Sequence, residues 1–160
     1  MSVRSILFCS GLVAFALAAC GQQTQGPRGL SNQDQTALHA IADRDTLLVR
    51  ARDWASLTAE YAENAVRMPP NGPTVQGRDA IRKFLEQTPP LAAFEFHLVD
   101  LDGDGELAFM RSNFSMTFTL PGAAKPISDS GKILVVLRKQ SDGSWLRVAD
   151  AWNSNLSPSK

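Results

Sequence analysis

The sequence predicts an α+β fold in which helices come first and antiparallel strands follow. In the first half of the domain, apolar residues recur every three or four positions, which is typical of amphipathic helices. From residue 94 onward they alternate with polar residues, as in half-buried strands. The chain has 160 residues, and this length corresponds to one domain with little room for a second.

The first 19 residues are typical of an export signal rather than of a folded domain. Arg4 is their only charge, and the apolar or small residues from Ile6 to Ala19 are fewer than the about 20 that a membrane-spanning helix needs. The segment ends in Leu17-Ala18-Ala19-Cys20, which resembles a bacterial lipobox. In proteins with this motif, the cysteine carries acyl chains and becomes the first residue of the mature chain.

The lipobox implies that Cys20 anchors the protein to a membrane of the bacterial envelope. Gly21 and Gln22 follow it without an Asp at the next position, which is similar to cargo for the outer membrane, so the domain would face the periplasm. We expect residues 20–30 to comprise the lipidated cysteine and a flexible tether, and residues 31–160 to form the domain.

Charge and cysteine content exclude several classes of protein. The 16 Lys and Arg residues balance 16 Asp and Glu residues, whereas a nucleic-acid-binding protein needs a basic excess to displace counterions. We therefore expect no nucleic-acid partner. Cys9 leaves with the signal and Cys20 is the lipid site, so the mature chain keeps no cysteine for a disulfide, a catalytic thiolate or a thiolate metal site.

Two helices are predicted at the start of the domain. Ser31 can cap a helix over residues 32–51, because its hydroxyl can accept a hydrogen bond from the first turn. Asp53 can cap a second helix, whose apolar face runs from Trp54 to Tyr61.

The chain from residue 68 onward is predicted to contain a break, a third helix and four strands. The prolines of Met68–Pro73 must interrupt regular structure, and a third helix opens at Gly77 and ends at Thr88-Pro89-Pro90. The predicted strands and turns follow in the order Phe94–Val99, a turn at Gly103–Gly105, Leu107–Leu120, Ile133–Leu137, a hairpin turn at Ser141–Gly143, and Trp145–Asn153.

Several segments resemble the ketosteroid-isomerase-like and SnoaL-like branch of the nuclear transport factor 2-like superfamily. They are residues 52–61, 65–77, 78–84, 131–138 and 142–153, and the resemblance covers about residues 34–156. It implies a cone-shaped, cystatin-like domain in which a curved antiparallel sheet wraps three helices around a deep apolar pocket. Because many relatives pair through the sheet, it also implies a homodimer.

The resemblance does not extend to the catalytic residues of the isomerases, which use a carboxylate base together with a tyrosine and a protonated aspartate. The base would fall at about Pro69, which cannot abstract a proton. The tyrosine would fall near Asp45 and the aspartate near Val135. We therefore do not expect ketosteroid isomerisation by that mechanism.

Two aspartates are candidates for catalysis. Asp45 interrupts the apolar stripe of the first helix, where an unpaired carboxylate is costly. It is a base or ligand acceptor in the pocket, or it pairs with Arg52, or it lies at the edge of the buried stripe. Asp150 alternates in phase with Leu146 and Val148, so it would point into the pocket if that face is concave. The alternative is a carboxylate that accepts hydrogen bonds from loop backbone.

Aromatic and methionine side chains at helix or strand spacing are candidates for the pocket wall, although such residues are often plain core. They are Trp54, Tyr61, Met68, Phe84, Phe96, Phe114, Met116 and Trp152.

No metal or cofactor is expected from the motifs in the sequence. Residues 100–105 match the start of an EF-hand calcium loop, but its twelfth position is Arg111 instead of a bidentate Glu. A polar hairpin turn is the better interpretation of this segment. We expect His97 on the outer face of the sheet.

Three hypotheses for function follow from the lipobox, the family resemblance and the candidate residues. The first is an envelope lipoprotein that holds a small, largely apolar molecule in its pocket. The second is an isomerase, dehydratase or cyclase that uses Asp150 or Asp45 for proton transfer. The third is a non-catalytic module that binds protein through the outer face of its sheet.

Overall fold

A computed structural model of the protein describes residues 29–156. The predicted signal, Cys20 and most of the tether therefore lie outside the described residues. The helices and strands are α1 (Asn32–Ala51), α2 (Trp54–Ala59), β1 (Tyr61–Met68), β2 (Val75–Gln76), α3 (Arg78–Glu86), β3 (Leu91–Asp104), β4 (Leu107–Phe118), β5 (Ile127–Lys139) and β6 (Trp145–Ser154).

The six strands form one sheet in the order β2-β1-β6-β5-β4-β3. Neighbouring strands are antiparallel except β1 and β6, which are parallel. The register shifts within β3–β4 and β5–β6, and such bulges increase the twist and bend of a strand. The helices pack against this curved sheet, so the predicted α+β class is confirmed. No helix within residues 29–156 is long and apolar enough to cross a membrane.

Local sequence signals account for the ends of the first two helices. The Ser31 hydroxyl accepts a hydrogen bond from the Asp34 amide at 3.2 Å, and the Asp53 carboxylate accepts one from the Ser56 amide at 3.0 Å. Each bond satisfies an amide that has no partner inside its helix. The chain leaves α1 through Arg52, whose φ of 55° ends the helix in the left-handed conformation.

Tyr61 does not belong to the second helix, where the apolar spacing predicted it. The helix ends at Ala59, and Tyr61 begins β1. The reason is a long-range pairing, because the Glu60 carbonyl accepts a hydrogen bond from the Arg147 amide at 2.8 Å and β1 then continues along β6. A helical spacing of apolar residues cannot reveal a strand partner so far along the chain.

The apolar core has two parts. One lies between α1 and the sheet, and the other joins α2, α3 and the start of β1. The buried members of the first are Leu38, Ile41, Ala42, Ala108, Met110, Val135, Leu137 and Trp145. The buried members of the second are Trp54, Leu57, Tyr61, Ala65, Ile81 and Leu85. Residues from both parts contribute to the cavity described next.

Candidate ligand cavity

A cavity of about 400 Å³ lies between the three helices and the concave face of the sheet. Its volume falls within the range of about 300–1,000 Å³ that small-molecule sites occupy. Most of its wall is apolar or aromatic. Besides the residues discussed below, the apolar wall includes Val49, Leu57, Leu85, Leu91, Phe94, Ile133 and Val135.

The structure places all but one of the predicted pocket residues in this wall. Those in the wall are Trp54, Tyr61, Phe84, Phe96, Phe114, Met116 and Trp152. Met68 is not among the wall residues and is 40% exposed, so its placement in the pocket was wrong. Its neighbour Arg67 lines the cavity, and because successive side chains of a strand point to opposite faces, Met68 lies on the other side.

Asp150 lies in the cavity wall and accepts hydrogen bonds from Tyr61 and Arg67. The strands β1 and β6 place Arg67 directly beside Asp150. Arg67 Nη1 lies 2.5 Å from Asp150 Oδ2 and donates to the Tyr61 hydroxyl oxygen at 2.7 Å. The Tyr61 hydroxyl in turn donates to Asp150 Oδ2. Among residues 29–156, the partners of Asp150 are therefore two side chains, and not loop backbone.

The guanidinium of Arg67 is held against aromatic rings on its other side. It lies 4.4 Å from the ring centroid of Trp152 and 5.9 Å from that of Phe84. The two rings meet edge to face, with their centroids 6.1 Å apart. Cation–π attraction adds to the ion pair in fixing Arg67, because a desolvated cation interacts strongly with a ring face.

Burial controls the chemistry of this cluster. Tyr61 is buried, and burial together with the charge of Asp150 raises the pKa of its phenol well above the ordinary value, against the opposing effect of the arginines. Burial acts to lower the pKa of Arg67, but its interactions with Tyr61 and Asp150 outweigh burial and raise that pKa. Within residues 29–156, Asp150 Oδ1 and Arg67 Nε are buried without a hydrogen-bond partner.

A second ion pair lies in the same wall. Arg147 Nη2 donates to Asp45 Oδ1 at 2.6 Å and lies 3.1 Å from Glu60 Oε2. Arg44 binds the other oxygen of Glu60 at 2.8 Å, which links the pair to the surface. Burial acts to lower the pKa of Arg147, but the charge of Asp45 leads the opposing effects and the net shift is upward.

The partner predicted for Asp45 was wrong. Arg52 instead donates from Nη1 to the carbonyl oxygen of Thr88 at 2.9 Å. Its left-handed conformation at the end of α1 directs it toward the segment after α3 rather than along its own helix. Asp45 nevertheless lines the cavity, as the pocket interpretation required.

Sequence reasoning missed both arginines of the wall. The residues of β6 that pair with the inward residues of β5 are Trp145, Arg147, Asp150 and Trp152. Their spacing changes from two to three at a bulge that skips Val148. Asp150 therefore shares its face with Arg147, and not with Leu146 and Val148 as strict alternation predicted.

The acidic turn near residue 102 has partners from the protein itself. Asp102 Oδ1 accepts from the Gly103 amide at 2.7 Å, and Asp104 Oδ1 accepts from the Gly29 amide at 3.1 Å. Within the described part of the chain, no group of three His, Cys, Asp or Glu side chains could hold a metal ion. His97 is exposed.

Comparison with known proteins supports the architecture. A family model described as the SnoaL-like domain matches residues 30–151. The chain belongs to the SnoaL-like domain family. No curated protein matches the sequence.

Solved structures of other proteins share this fold at low sequence identity. A ketosteroid isomerase-like protein from Erwinia carotovora atroseptica superposes with a TM-score of 0.71 at 19% identity, covering 79% of this chain and 100% of that one. A conserved protein from Planctomyces limnophilus superposes with a TM-score of 0.67 at 16% identity, covering 78% of this chain and 99% of that one. An NTF2-like protein with a cystatin-like fold from Novosphingobium aromaticivorans superposes with a TM-score of 0.62 at 16% identity, covering 75% of this chain and 80% of that one. These likenesses establish the fold of the SnoaL-like domain and leave its chemistry to the residues of the cavity.

Proposed function

We propose that this SnoaL-like domain binds a small, largely apolar molecule in its cavity. The observation that carries the proposal is the wall itself, which is mostly apolar and aromatic with a few convergent polar groups. Protein interiors are normally packed to the density of organic crystals. A cavity of about 400 Å³ between helices and sheet therefore supports a binding role.

We also propose that Cys20 holds the domain at the bacterial envelope, on the periplasmic side of the outer membrane. This part rests on the sequence alone, since Cys20 lies outside the described residues. The variant Cys20→Ala should lose the fatty-acid label, whereas Cys9→Ala, in the signal, should keep it. A Cys20→Ala protein that still takes up the label would contradict lipidation at Cys20. The homodimer stays a prediction.

The binding role can be tested with two neighbouring residues of β5. Ile133 lines the cavity, while Leu134 is 46% exposed on the other face. The variant Ile133→Trp should fill the cavity, and Leu134→Trp adds the same bulk outside it. Protein is purified from its own host's envelope, and its bound molecules are extracted and analysed by mass spectrometry.

The expected result is one molecule that co-purifies with the wild type and with Leu134→Trp, and is depleted in Ile133→Trp. Equal recovery from both variants would place the molecule outside the cavity and contradict the proposal. Recovery of nothing from the wild type, together with no binding of apolar probes, would also contradict it.

Proton transfer by Asp150 is a second candidate function, favoured by its Oδ1, which has no hydrogen-bond partner among residues 29–156 and belongs to a carboxylate only 3% exposed in the cavity wall. The extracted molecule is incubated in heavy water with the wild type or with Asp150→Asn. Deuterium uptake that needs Asp150 and survives the surface change Asp142→Asn supports catalysis. No uptake above the blank would restrict the domain to binding.

A further inference from the structure

The charged groups of the cavity wall compensate each other. Its charged residues are two arginines and two aspartates, namely Asp45, Arg67, Arg147 and Asp150. Each arginine is paired with one aspartate, at 2.5 Å for Arg67 with Asp150 and at 2.6 Å for Arg147 with Asp45. Glu60, behind Arg147, is in turn matched by Arg44. The wall therefore carries no net charge.

This balance disfavours a charged ligand of either sign. A carboxylate placed against Arg67 would also lie close to Asp150, because those two side chains are in contact. An ammonium placed against Asp150 would meet Arg67 for the same reason. An ion that leaves water and finds its counter-charge already paired is poorly compensated. The charges of the wall thus select a neutral molecule.

The polar atoms that remain define one feature of that molecule. Asp150 Oδ1 is a buried acceptor without a partner among residues 29–156. The side chain of Arg67 is the more accessible of the pair, at 17% exposed against 4% for Asp150. Its guanidinium carries five N–H groups, and those on Nη1 donate to Tyr61 and Asp150. A hydroxyl group both donates and accepts, so one hydroxyl can serve both residues.

Tyr61 does not compete for this role. Its hydroxyl donates to Asp150 and accepts from Arg67, so its hydrogen bonds are directed within the cluster. A ketone could accept from Arg67 but could not donate to Asp150. The cluster therefore distinguishes a hydroxyl from a carbonyl as well as from a carboxylate.

We propose that the ligand class is a neutral alcohol or phenol with an apolar body, its hydroxyl seated at the Arg67–Asp150 pair. The inference rests on the proposed binding function and adds the polar group and charge of the ligand. It follows from the paired charges of the wall, the unpartnered Asp150 Oδ1 and the partly exposed Arg67.

Four probes with one ring system test it: naphthalene, naphthol, naphthoate and naphthylmethylammonium. The full-length protein is reconstituted in lipid nanodiscs, and binding at pH 7 is measured by calorimetry with empty nanodiscs as the blank. Naphthol should bind about tenfold more tightly than naphthalene, as a hydrogen bond to a charged group allows. Both charged probes should bind at least about tenfold more weakly than naphthol.

The variant Asp150→Asn changes the charge of the wall while keeping its shape. It leaves one arginine charge unmatched, so the affinity of naphthoate relative to naphthol should rise about tenfold. The exposed change Asp142→Asn alters the net charge of the protein equally and should leave the ranking unchanged.

The outcomes separate this inference from the proposed function. Binding of all four probes with naphthoate preferred by the wild type, or equal affinity for naphthalene and naphthol, overturns the ligand class and leaves apolar binding standing. Failure of every probe to bind overturns both.

Discussion

Tyr61 donates a hydrogen bond to Asp150 across 89 positions of sequence. The contact joins the start of β1 to the middle of β6, the parallel pair of the sheet. Arg67, six residues further along β1, binds the same carboxylate oxygen. The bond therefore links the pairing of these strands to the Arg67–Asp150 pair in the cavity wall. A change in the strand pairing should alter the geometry of that pair, and a change in the pair should alter the strand pairing.

Tyr61 is buried, and its titration should report that burial directly because it is the only tyrosine in the chain. Burial disfavours the phenolate and raises its pKa above the ordinary value of about 10. Ultraviolet absorbance of the folded protein should show no phenolate when the pH passes 10, and the protein unfolded in urea should titrate normally.

The same shift predicts how stability changes in alkaline solution. The folded pKa lies above the unfolded one, so the contribution of Tyr61 is complete below about pH 10 and is lost as the pH rises toward the folded pKa. Urea unfolding midpoints should decline in that window. A folded-state phenol that titrates near pH 10 would show that Tyr61 is in contact with water.

Removal of Arg147 should be among the most destabilising changes in the wall. The variant Arg147→Met leaves Asp45 buried without its cation, while Glu60 keeps Arg44, so the loss of the Asp45 partner should cost about 3–5 kcal/mol. Urea unfolding measures this cost, and Arg82→Met, which breaks an exposed pair, should change stability by about 0.5 kcal/mol or less.

The double variant Arg147→Met with Asp45→Asn separates charge from packing. It neutralises the carboxylate that loses its cation, so it should be more stable than Arg147→Met alone. If both variants are equally unstable, the loss comes from the volume of the arginine and the ion pair contributes little.

Features that depend on neighbouring residues could be predicted from the sequence. Ser31 and Asp53 cap their helices as expected, because a cap needs only the next three residues. The aromatic residues of the wall other than Phe94 could be identified, since a cone of this family buries its apolar faces inward. The fold class followed from the same patterns.

Features that depend on strand register could not be predicted from the sequence. Arg67 and Arg147 reach the cavity because β1 pairs with β6 and because β6 carries a bulge at Val148. Period-two alternation of apolar residues predicts neither the β1–β6 pairing nor the bulge. Asp150 was placed inward for the wrong reason, since the bulge reverses the face on which Leu146 and Val148 lie.

Gly131 should tolerate no side chain, because two neighbours occupy the space. A Cβ at this position of β5 would lie 1.8 Å from the Asn153 carbonyl oxygen and 2.6 Å from the ring of Phe114, a cavity residue. The variant Gly131→Ala should lose about 1–3 kcal/mol or more, as overpacking does. In Gly72→Ala the new Cβ would lie 3.2 Å from the ring of Pro69 and 3.8 Å from the Pro70 carbonyl oxygen, so this variant should change the urea midpoint little.

The strand shift forced by Gly131→Ala should also disturb the cavity through Phe114. Apolar probe binding should therefore weaken in this variant and stay unchanged in Gly72→Ala. Wild-type stability of Gly131→Ala would contradict the close packing of β5 against β6.

Arg52 should control the mobility of one part of the cavity rim. Its side chain donates to the Thr88 carbonyl, and Gln87, which is exposed, lines the cavity beside Thr88. The variant Arg52→Gly removes this tie while suiting the left-handed conformation at the end of α1. Global stability should therefore change by less than about 1 kcal/mol.

The local effect should be larger than the global one. The amides of Gln87 and Thr88 donate to the last turn of α3, and both should exchange hydrogen about tenfold faster once Arg52 no longer holds the segment. Hydrogen exchange followed by mass spectrometry measures this, with Arg82→Gly on the exposed face of α3 as the control for changes within the helix. Unchanged exchange at these two amides, or equal acceleration in the control, would show that α3 and its prolines position the rim without Arg52.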